Sequence, residues 1–558
     1  MEATPNRSAG PSRSTRRTRR ALGAGLGGLA GTLSLALATA GPTVPAPSAA
    51  AASVARSRPS STATSRTLRL AFVADMQVPD PDIFYEIEGN AVVTSLYEGL
   101  VKYANNSTRI IPALATSWTV SGDGRTYTFH LRHGVRFHDG TPFTSADAKF
   151  SFERRKGVNS APAYMLADVV SMATPDPYTF VVHLSQPVSA FLDYMASPYG
   201  PKMVSEKAVV AHEVGGHPGD WAQGWLKTHD AGTGPYEISQ FVPGSHYVLT
   251  ADPSYWGTKP YYRTVDIQII PDISTQEVEL GDGQLSMILH GLPVNAVESF
   301  AHNPKFTVHE FPAEQKTMLD VNPDLGIFKS QAVRSALRQA IDKAVIVRAV
   351  YGDTMATVST QAYPAGEFPK GMAMDSPTYD PSKLAQVLKK VKGSRNVDLA
   401  YSTDDPNNQR VAEFIQAELQ ADGLNVSIRG VPIGQVFNYA STSPKHLPNL
   451  LVWTINPDDA APDSWIRILS NTNGSLNELH GSVPAADRLM NEGLHATSAK
   501  VIQQDYAKAG TLVAQSGEWI SIADVKDTVV AAKGITGWFH QPPTVDTVVL
   551  GLLHPSGS

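Results

Sequence analysis

The body of the chain alternates between two kinds of hydrophobic patterning. In the first half, short runs of period two are separated by turn residues. Leu68–Val73 reads as a first strand. Trp118–Val120 and Tyr127–Leu131 flank Gly122-Asp123-Gly124, which predicts a hairpin. Phe180–Leu184 is a further strand, and Tyr236–Phe241 and His246–Ala251 bracket Pro243-Gly244 as a second hairpin. Val265–Ile270 closes this set. Two helices interrupt it. Ala91–Leu100 places Val92, Leu96 and Leu100 on one face, and Ser145–Arg155 opens on Ser145 as its expected N-cap.

The second half has helical period. Gln331–Tyr351 puts Val333, Leu337, Ile341 and Val345 along one stripe and predicts a single amphipathic helix. Val397–Tyr401 is a strand, Asn407–Ala421 a helix ended by Gly423, and Leu424–Arg429 and Leu450–Thr454 are strands. Strand–helix–strand alternation predicts an α/β lobe. A hairpin-rich half and an α/β half predict two lobes with a ligand cleft between them.

The N-terminus follows neither pattern. Arg7, Arg13, Arg16, Arg17, Arg19 and Arg20 precede an uncharged stretch, residues 21–40, rich in Ala, Gly and Leu. Small-residue cleavage sites follow at Ala38-Thr39-Ala40 or within Ala49–Ala52. Basic, then apolar, then small is the order of a secretory signal. The pairs Arg16-Arg17 and Arg19-Arg20 are similar to a twin-arginine signal, the other reading being an ordinary signal with extra charge. Residues 1–40 are therefore expected to be a signal peptide and residues 41–65 a disordered spacer. No run in the body reaches the roughly 18 apolar residues of a membrane span.

Charge and composition narrow the chemistry. The net charge of −6 and the lack of a basic stretch in the body give no support to nucleic-acid binding. With no cysteine among the 558 residues, disulfides, thiolate metal sites and lipid attachment through Cys are excluded. Gly23-x-Gly25-x-x-Gly28 falls in the signal region, after no strand. His212 and His217 are five residues apart across Gly215-Gly216, whereas a helical zinc pair needs a spacing of four, so no metal is expected. His133, His138 and Asp139 read as a turn. No catalytic constellation and no cofactor site is visible.

One loop stands out. Trp453, Asn456, Asp458, Asp459, Asp463 and Trp465 follow a buried strand. An aromatic surface beside carboxylates suits a ligand carrying donors or a cation. The competing reading is a solvated acidic loop over core tryptophans.

Several segments together carry a resemblance. Val93–Tyr103, Ile111–Val120, Gly124–Phe152, Gly232–Tyr236, Asp252–Gly257, Val333–Asp342 and Tyr379–Leu388 resemble the family 5 extracellular solute-binding proteins of ABC importers. The likeness spans roughly residues 67–540. It implies a two-lobed α/β periplasmic-binding-protein fold of type II, with an extra subdomain inserted in lobe I. The implied division is 66–105, 228–312 and 519–554 for lobe I, 106–227 for the insert and 313–518 for lobe II. It implies a monomeric binder, not an enzyme. The protein would close on a small peptide-like or oligosaccharide-like ligand and deliver it to a membrane permease. A sensory receptor of the same fold and a secreted hydrolase are the alternatives. The implied ligand residues are Trp453, Asn456, Asp458, Asp459, Ser402, Asp404 and Gln77. Peptide-binding members carry Asp where this chain has Asn456, and dipeptide binders carry Arg where it has Ser402. The loss of both charges implies weak binding of simple peptides with free termini and better binding of capped, modified or sugar-like ligands, the alternative being that Asp458 or Asp459 replaces the missing acid.

Overall fold

The computed structural model describes residues 66–76, 78–352, 354–364, 369 and 377–557. The expected signal and spacer, and Gln77, lie outside the described residues.

Lobe I is built on a four-stranded sheet in the order Thr67–Phe72, Thr264–Ile269, His246–Ala251, Tyr236–Val242. The first pair is parallel and the others antiparallel. A second, antiparallel sheet runs Ala115–Val120, Thr126–Leu131, Thr179–Leu184, Val169–Asp176. Its strands alternate: Tyr127, Phe129 and Leu131 face inward on one, Phe180, Val182 and Leu184 on the next. The helix Ser145–Val158 packs on them through Phe152, whose ring meets Phe180 edge-on at 5.1 Å. Both sheets contribute to one apolar core.

Lobe II is a seven-stranded sheet. Met287–Ile288, Trp519–Ala532, Phe306–Val321, Leu450–Ile455, Asn396–Ser402 and Asn425–Val431 lie side by side, and Ala356–Val358 pairs off Trp519–Ala532. Helices cover both faces. Leu450 and Val452 point to the core shared with Gln331–Ala340, Lys343–Tyr351 and Pro406–Ala421. Leu451, Trp453 and Ile455 point to the core shared with Pro462–Ser470, Pro484–Leu494 and Ala499–Ser516. Burial on both faces is why this strand is a continuous apolar run rather than an alternating one.

Two long antiparallel strands join the lobes. Phe306–Val321 puts Phe311 in the first core and Leu319 in the second. Trp519–Ala532 puts Val529 and Ala531 in the first core and Ile520 and Ile522 in the second. Their pairing shifts register between Phe311 and Gln315 and again between Thr317 and Met318. Such irregularities bend a strand.

Three element boundaries differ from the periodicity. The helix expected over Gln331–Tyr351 is two helices, Gln331–Ala340 and Lys343–Tyr351. Ile341 is extended, and Asp342 accepts a hydrogen bond from the Val345 N–H at 3.1 Å, capping a new helix. The helix expected to reach Leu100 stops at Leu96, where Tyr97 turns to extended backbone. The cap of Ser145–Val158 is Thr144, one residue earlier than expected; its N–H donates to Asp147 at 2.9 Å.

Candidate ligand site between the lobes

Asn396–Ser402 and Leu450–Ile455 are parallel neighbours, with Tyr401 opposite Val452. Their following loops therefore leave the same edge of the sheet. Ligands of open α/β sheets sit at that carboxyl edge. Ser402 donates its hydroxyl to Asp404, and its carbonyl accepts from Asn408 Nδ2 at 3.2 Å. Asn408 Oδ1 accepts from the Thr454 hydroxyl at 2.7 Å, so the two loops share one polar network. Asp405 caps the helix Pro406–Ala421 through the Asn407 N–H at 2.8 Å.

The second loop, residues 456–461, meets lobe I. Asp458 Oδ2 accepts the hydroxyls of Tyr85 and, at 2.6 Å, Tyr164, and its carbonyl accepts the Ser197 hydroxyl. The Ala460 N–H donates to the Tyr103 hydroxyl at 2.9 Å. Asn456 is half-buried, donates to the Pro457 carbonyl at 3.2 Å and hydrogen-bonds Tyr199. Asp463 accepts the hydroxyls of Tyr506 at 2.6 Å and Tyr194 at 3.1 Å. Tyrosine rings line the lobe I side, with Tyr85 edge-on to Tyr199 at 5.0 Å and Tyr164 edge-on to Tyr194 at 5.8 Å.

The charges do not balance locally. Arg467 takes Asp463, Nη2 to Oδ2 at 2.6 Å. The hydrogen bonds at Asp458 and Asp459 come from neutral donors: two phenols for the first, the Ala461 N–H at 2.9 Å for the second. Asp459 is fully buried, and its Oδ2 has no hydrogen-bond partner among the described residues. Burial, and then the neighbouring Asp193 carboxylate, push Asp459 well above the usual carboxylate range. Burial also pushes Asp193 up to about 6. A cavity of about 260 Å³ lies alongside, lined by Asp193, Ala460, Asp463 and Tyr506. A buried carboxylate with a free oxygen beside other carboxylates favours a cationic group or a strong donor.

The structure thus brings Asn456, Asp458 and Asp459 onto the lobe interface, and Ser402 and Asp404 onto the neighbouring loop. Trp453 is placed differently. Its ring is fully buried in the lobe II core, and Nε1 donates to Asp320 Oδ2 at 2.9 Å. Gln77 is outside the described residues. Asp193 and the tyrosines were not singled out by sequence reading, because single residues on scattered elements carry no local pattern. His138, read as part of a turn, is buried against Asp230 and raised to about 9, burial opposing and the Asp230 carboxylate favouring its charge. His212 stacks on Trp225 at 4.1 Å while His217 pairs with Glu213 at 2.7 Å, so the two histidines serve separate local contacts.

Two lobes joined by a pair of long strands, with polar loops meeting across the gap, define a solute-binding protein of the type II periplasmic class. The chain belongs to the bacterial extracellular solute-binding proteins, family 5, whose model matches residues 109–476. It is a binding protein, not an enzyme, and works outside the cytoplasm with an ABC importer. It is similar to "Probable D,D-dipeptide-binding periplasmic protein DdpA" of Escherichia coli K12, 25% identical over 84% of this chain and 90% of that protein. It is also similar to the dipeptide-binding protein of the same organism, 28% identical over 67% and 72% of the two chains. In fold it matches the periplasmic binding protein DppA of Helicobacter pylori in complex with the peptide STSA. That match has a TM-score of 0.75, 23% identity, and covers 88% of this chain and 98% of that one. Among the described residues, no helix is long and apolar enough to cross a membrane.

Proposed function

We propose that this protein captures a peptide-like solute bearing a cationic amine and presents it, as a monomer, to its importer. The observation that carries the reading is Asp459: fully buried at the lobe interface, with one carboxylate oxygen unpartnered. An ammonium group there would gain a charge-assisted hydrogen bond, worth about 1.5–3 kcal/mol. Asp459 would thus take the role that Asn456 cannot fill as a neutral amide, and free-amine peptides would bind well. Asp193 shares the negative field, and Asn456, Ser402 and Asp404 would hydrogen-bond the polar remainder. Peptide-binding relatives support this solute class. Trp453 would support the loop from beneath.

The lobes would part and close about the irregular pairing of Phe306–Val321 with Trp519–Ala532. By chain segment we take residues 66–105, 228–312 and 519–554 as lobe I, 106–227 as its insert and 313–518 as lobe II, with Met287–Ile288 and Trp519–Ala532, which pair into the lobe II sheet, as places where the chain crosses between the lobes. Residues 1–40 would direct export, and N-terminal sequencing of secreted protein should find a start between residues 41 and 60. Twin-lysine replacements of Arg16-Arg17 and Arg19-Arg20 should block export if the twin-arginine route is used.

A thermal-shift comparison of free and N-acetylated peptides tests the ligand class. A ligand that binds only the folded form stabilises it by about 2.7 kcal/mol at a hundredfold excess over Kd. Free-amine peptides should shift the melting temperature and acetylated ones should not, and Asp459→Asn should remove the difference. Equal shifts by both, in the unmodified protein, would rule out amine recognition.

A further inference from the structure

A second polar cluster adjoins the candidate ligand site, reached through Asn90, whose Nδ2 donates to the Tyr199 hydroxyl and the Val545 carbonyl, each at 3.2 Å. Glu88 precedes the lobe I helix Asn90–Leu96. His290 follows the edge strand Met287–Ile288 of the lobe II sheet. Asp546 belongs to the C-terminal segment, between Val545 and Val548 of the buried core. One potential ligand atom from each of these three residues lies within 4.8 Å of the others. His290 Nε2 and Glu88 Oε1 are 2.8 Å apart.

The cluster is poorly satisfied by the protein itself. Asp546 is 1% exposed; its carboxylate faces the Gly89 N–H and the His290 imidazole, but neither oxygen makes a hydrogen bond of ordinary geometry among the described residues. Glu88 Oε2 and His290 Nδ1 are buried and have no hydrogen-bond partner among the described residues. Apart from the His290 imidazole, the facing charged groups add no fixed cation among the described residues. Asp527 accepts the Asp546 N–H at 3.1 Å and lies 3.3 Å from His540, while Asp405 and Glu86 face His290 and Glu88. A buried carboxylate so weakly satisfied is costly, and a cation is the usual remedy.

We propose that Glu88, His290 and Asp546 hold a divalent first-row metal ion of the Zn²⁺ class at the junction of the lobes. One imidazole and two carboxylates are the donor set such ions take, with solvent completing the shell. Ca²⁺ asks for six to eight oxygens and suits the site less. Zn²⁺ ligand distances of about 2.0–2.2 Å set tetrahedral donors roughly 3.4 Å apart, so Glu88 Oε1 and His290 Nε2, now 2.8 Å apart, would separate slightly as their hydrogen bond gives way to the ion. Glu88 and His290 keep 12% and 25% of their side-chain surface exposed, which leaves a path for the ion. The bound ion would fasten the C-terminal segment to the loop before the lobe I helix and to the end of the edge strand. It would raise stability whether or not solute is present, so the inference does not depend on which solute binds.

The test is calorimetric titration of ZnCl₂ into purified, EDTA-treated protein without solute, with a melting curve at each end point. One saturable equivalent and a raised melting temperature are expected. Asp546 sits at φ +55°, a backbone that Asn accepts readily, so Asp546→Asn should fold. Asp546→Asn and Glu88→Gln should each weaken binding about tenfold or more. His217→Ala, at the separate surface pair with Glu213, should leave it unchanged. Absence of saturable binding, or equal binding by the Asp546→Asn and Glu88→Gln proteins, would overturn the proposal. So would loss of binding in His217→Ala alone.

Discussion

Tyr164 donates its hydroxyl to Asp458 Oδ2 at 2.6 Å, tying the 3-10 turn Ala161–Leu166 of lobe I to a loop of lobe II. Tyr85 reaches the same oxygen from the segment after the first strand. One carboxylate oxygen thus holds two phenols that belong to the opposite lobe. Such bonds exist only while the lobes are together, so they bias the opening equilibrium without contributing to either lobe alone.

Removing these phenols should therefore loosen closure more than it destabilises folding. Tyr164→Phe and Tyr85→Phe each delete a hydrogen bond to a carboxylate, worth about 1.5–3 kcal/mol. Solute affinity should fall about tenfold to a hundredfold per variant, read by calorimetry. Small-angle scattering should show a larger radius of gyration for the solute-free double variant. An unchanged radius together with unchanged affinity would mean that the contact does not report closure.

Asp193 sets a pH dependence. Burial raises it to about 6, so the folded state keeps this proton to higher pH than the unfolded chain does. Its contribution to stability is complete below about pH 4 and is lost as pH rises through 6. Solute-free protein should lose stability over that interval, and a cationic solute, which needs the ionised form, should shift the melting temperature more at pH 7 than at pH 5. Asp193→Asn should flatten both trends. A ligand-induced shift that shrinks with rising pH would contradict the assignment.

The sequence showed the lobes more fully than the site. Strands such as Thr179–Leu184 and Leu450–Ile455 announce themselves because burial on one face or two writes directly into residue order. The split at Ile341–Asp342 did not, since the apolar stripe continues across it while a single Asp side chain supplies the competing cap. The loop after Trp453 was legible as a cluster of carboxylates. What they face was not. Tyr85, Tyr164 and Asp193 lie hundreds of residues away, and only the tertiary fold brings them to Asp458 and Asp459. Glu88, His290 and Asp546 converge from equally distant segments, which is why spacing alone offered no metal site.

Arg154 anchors lobe I internally. Its guanidinium takes Asp80 at 2.6 and 2.7 Å and Asp82 at 2.6 Å, while Arg155 holds Asp82 at 2.8 Å. All four side chains are essentially unexposed. Arg154→Ala would leave Asp80 buried without its cation, a loss of about 3–5 kcal/mol for a broken buried pair. Denaturant unfolding should show that loss, and Asp80→Asn in the same chain should recover part of it. If the double variant is no more stable than Arg154→Ala, the buried charge is not the cause.

Trp453 offers the sharpest separation between core and ligand roles. In the structure its Nε1–H donates to Asp320 Oδ2 at 2.9 Å, and Asp320 Oδ1 has no hydrogen-bond partner among the described residues. Burial pushes Asp320 well above the usual carboxylate range, with the indole bond opposing. Trp453→Phe keeps an aromatic ring but removes the only hydrogen bond this carboxylate receives among the described residues. The expected cost is about 1–3 kcal/mol for an unsatisfied buried acceptor, with a further loss for the smaller ring. Asp320→Asn should be partly redundant with it, giving a measurable coupling in a double-mutant cycle. Solute affinity, measured where both proteins are folded, should stay the same. A fall in affinity with stability intact would instead place the indole against the solute, as the family likeness implied, and would require the ring to leave this core when the lobes open.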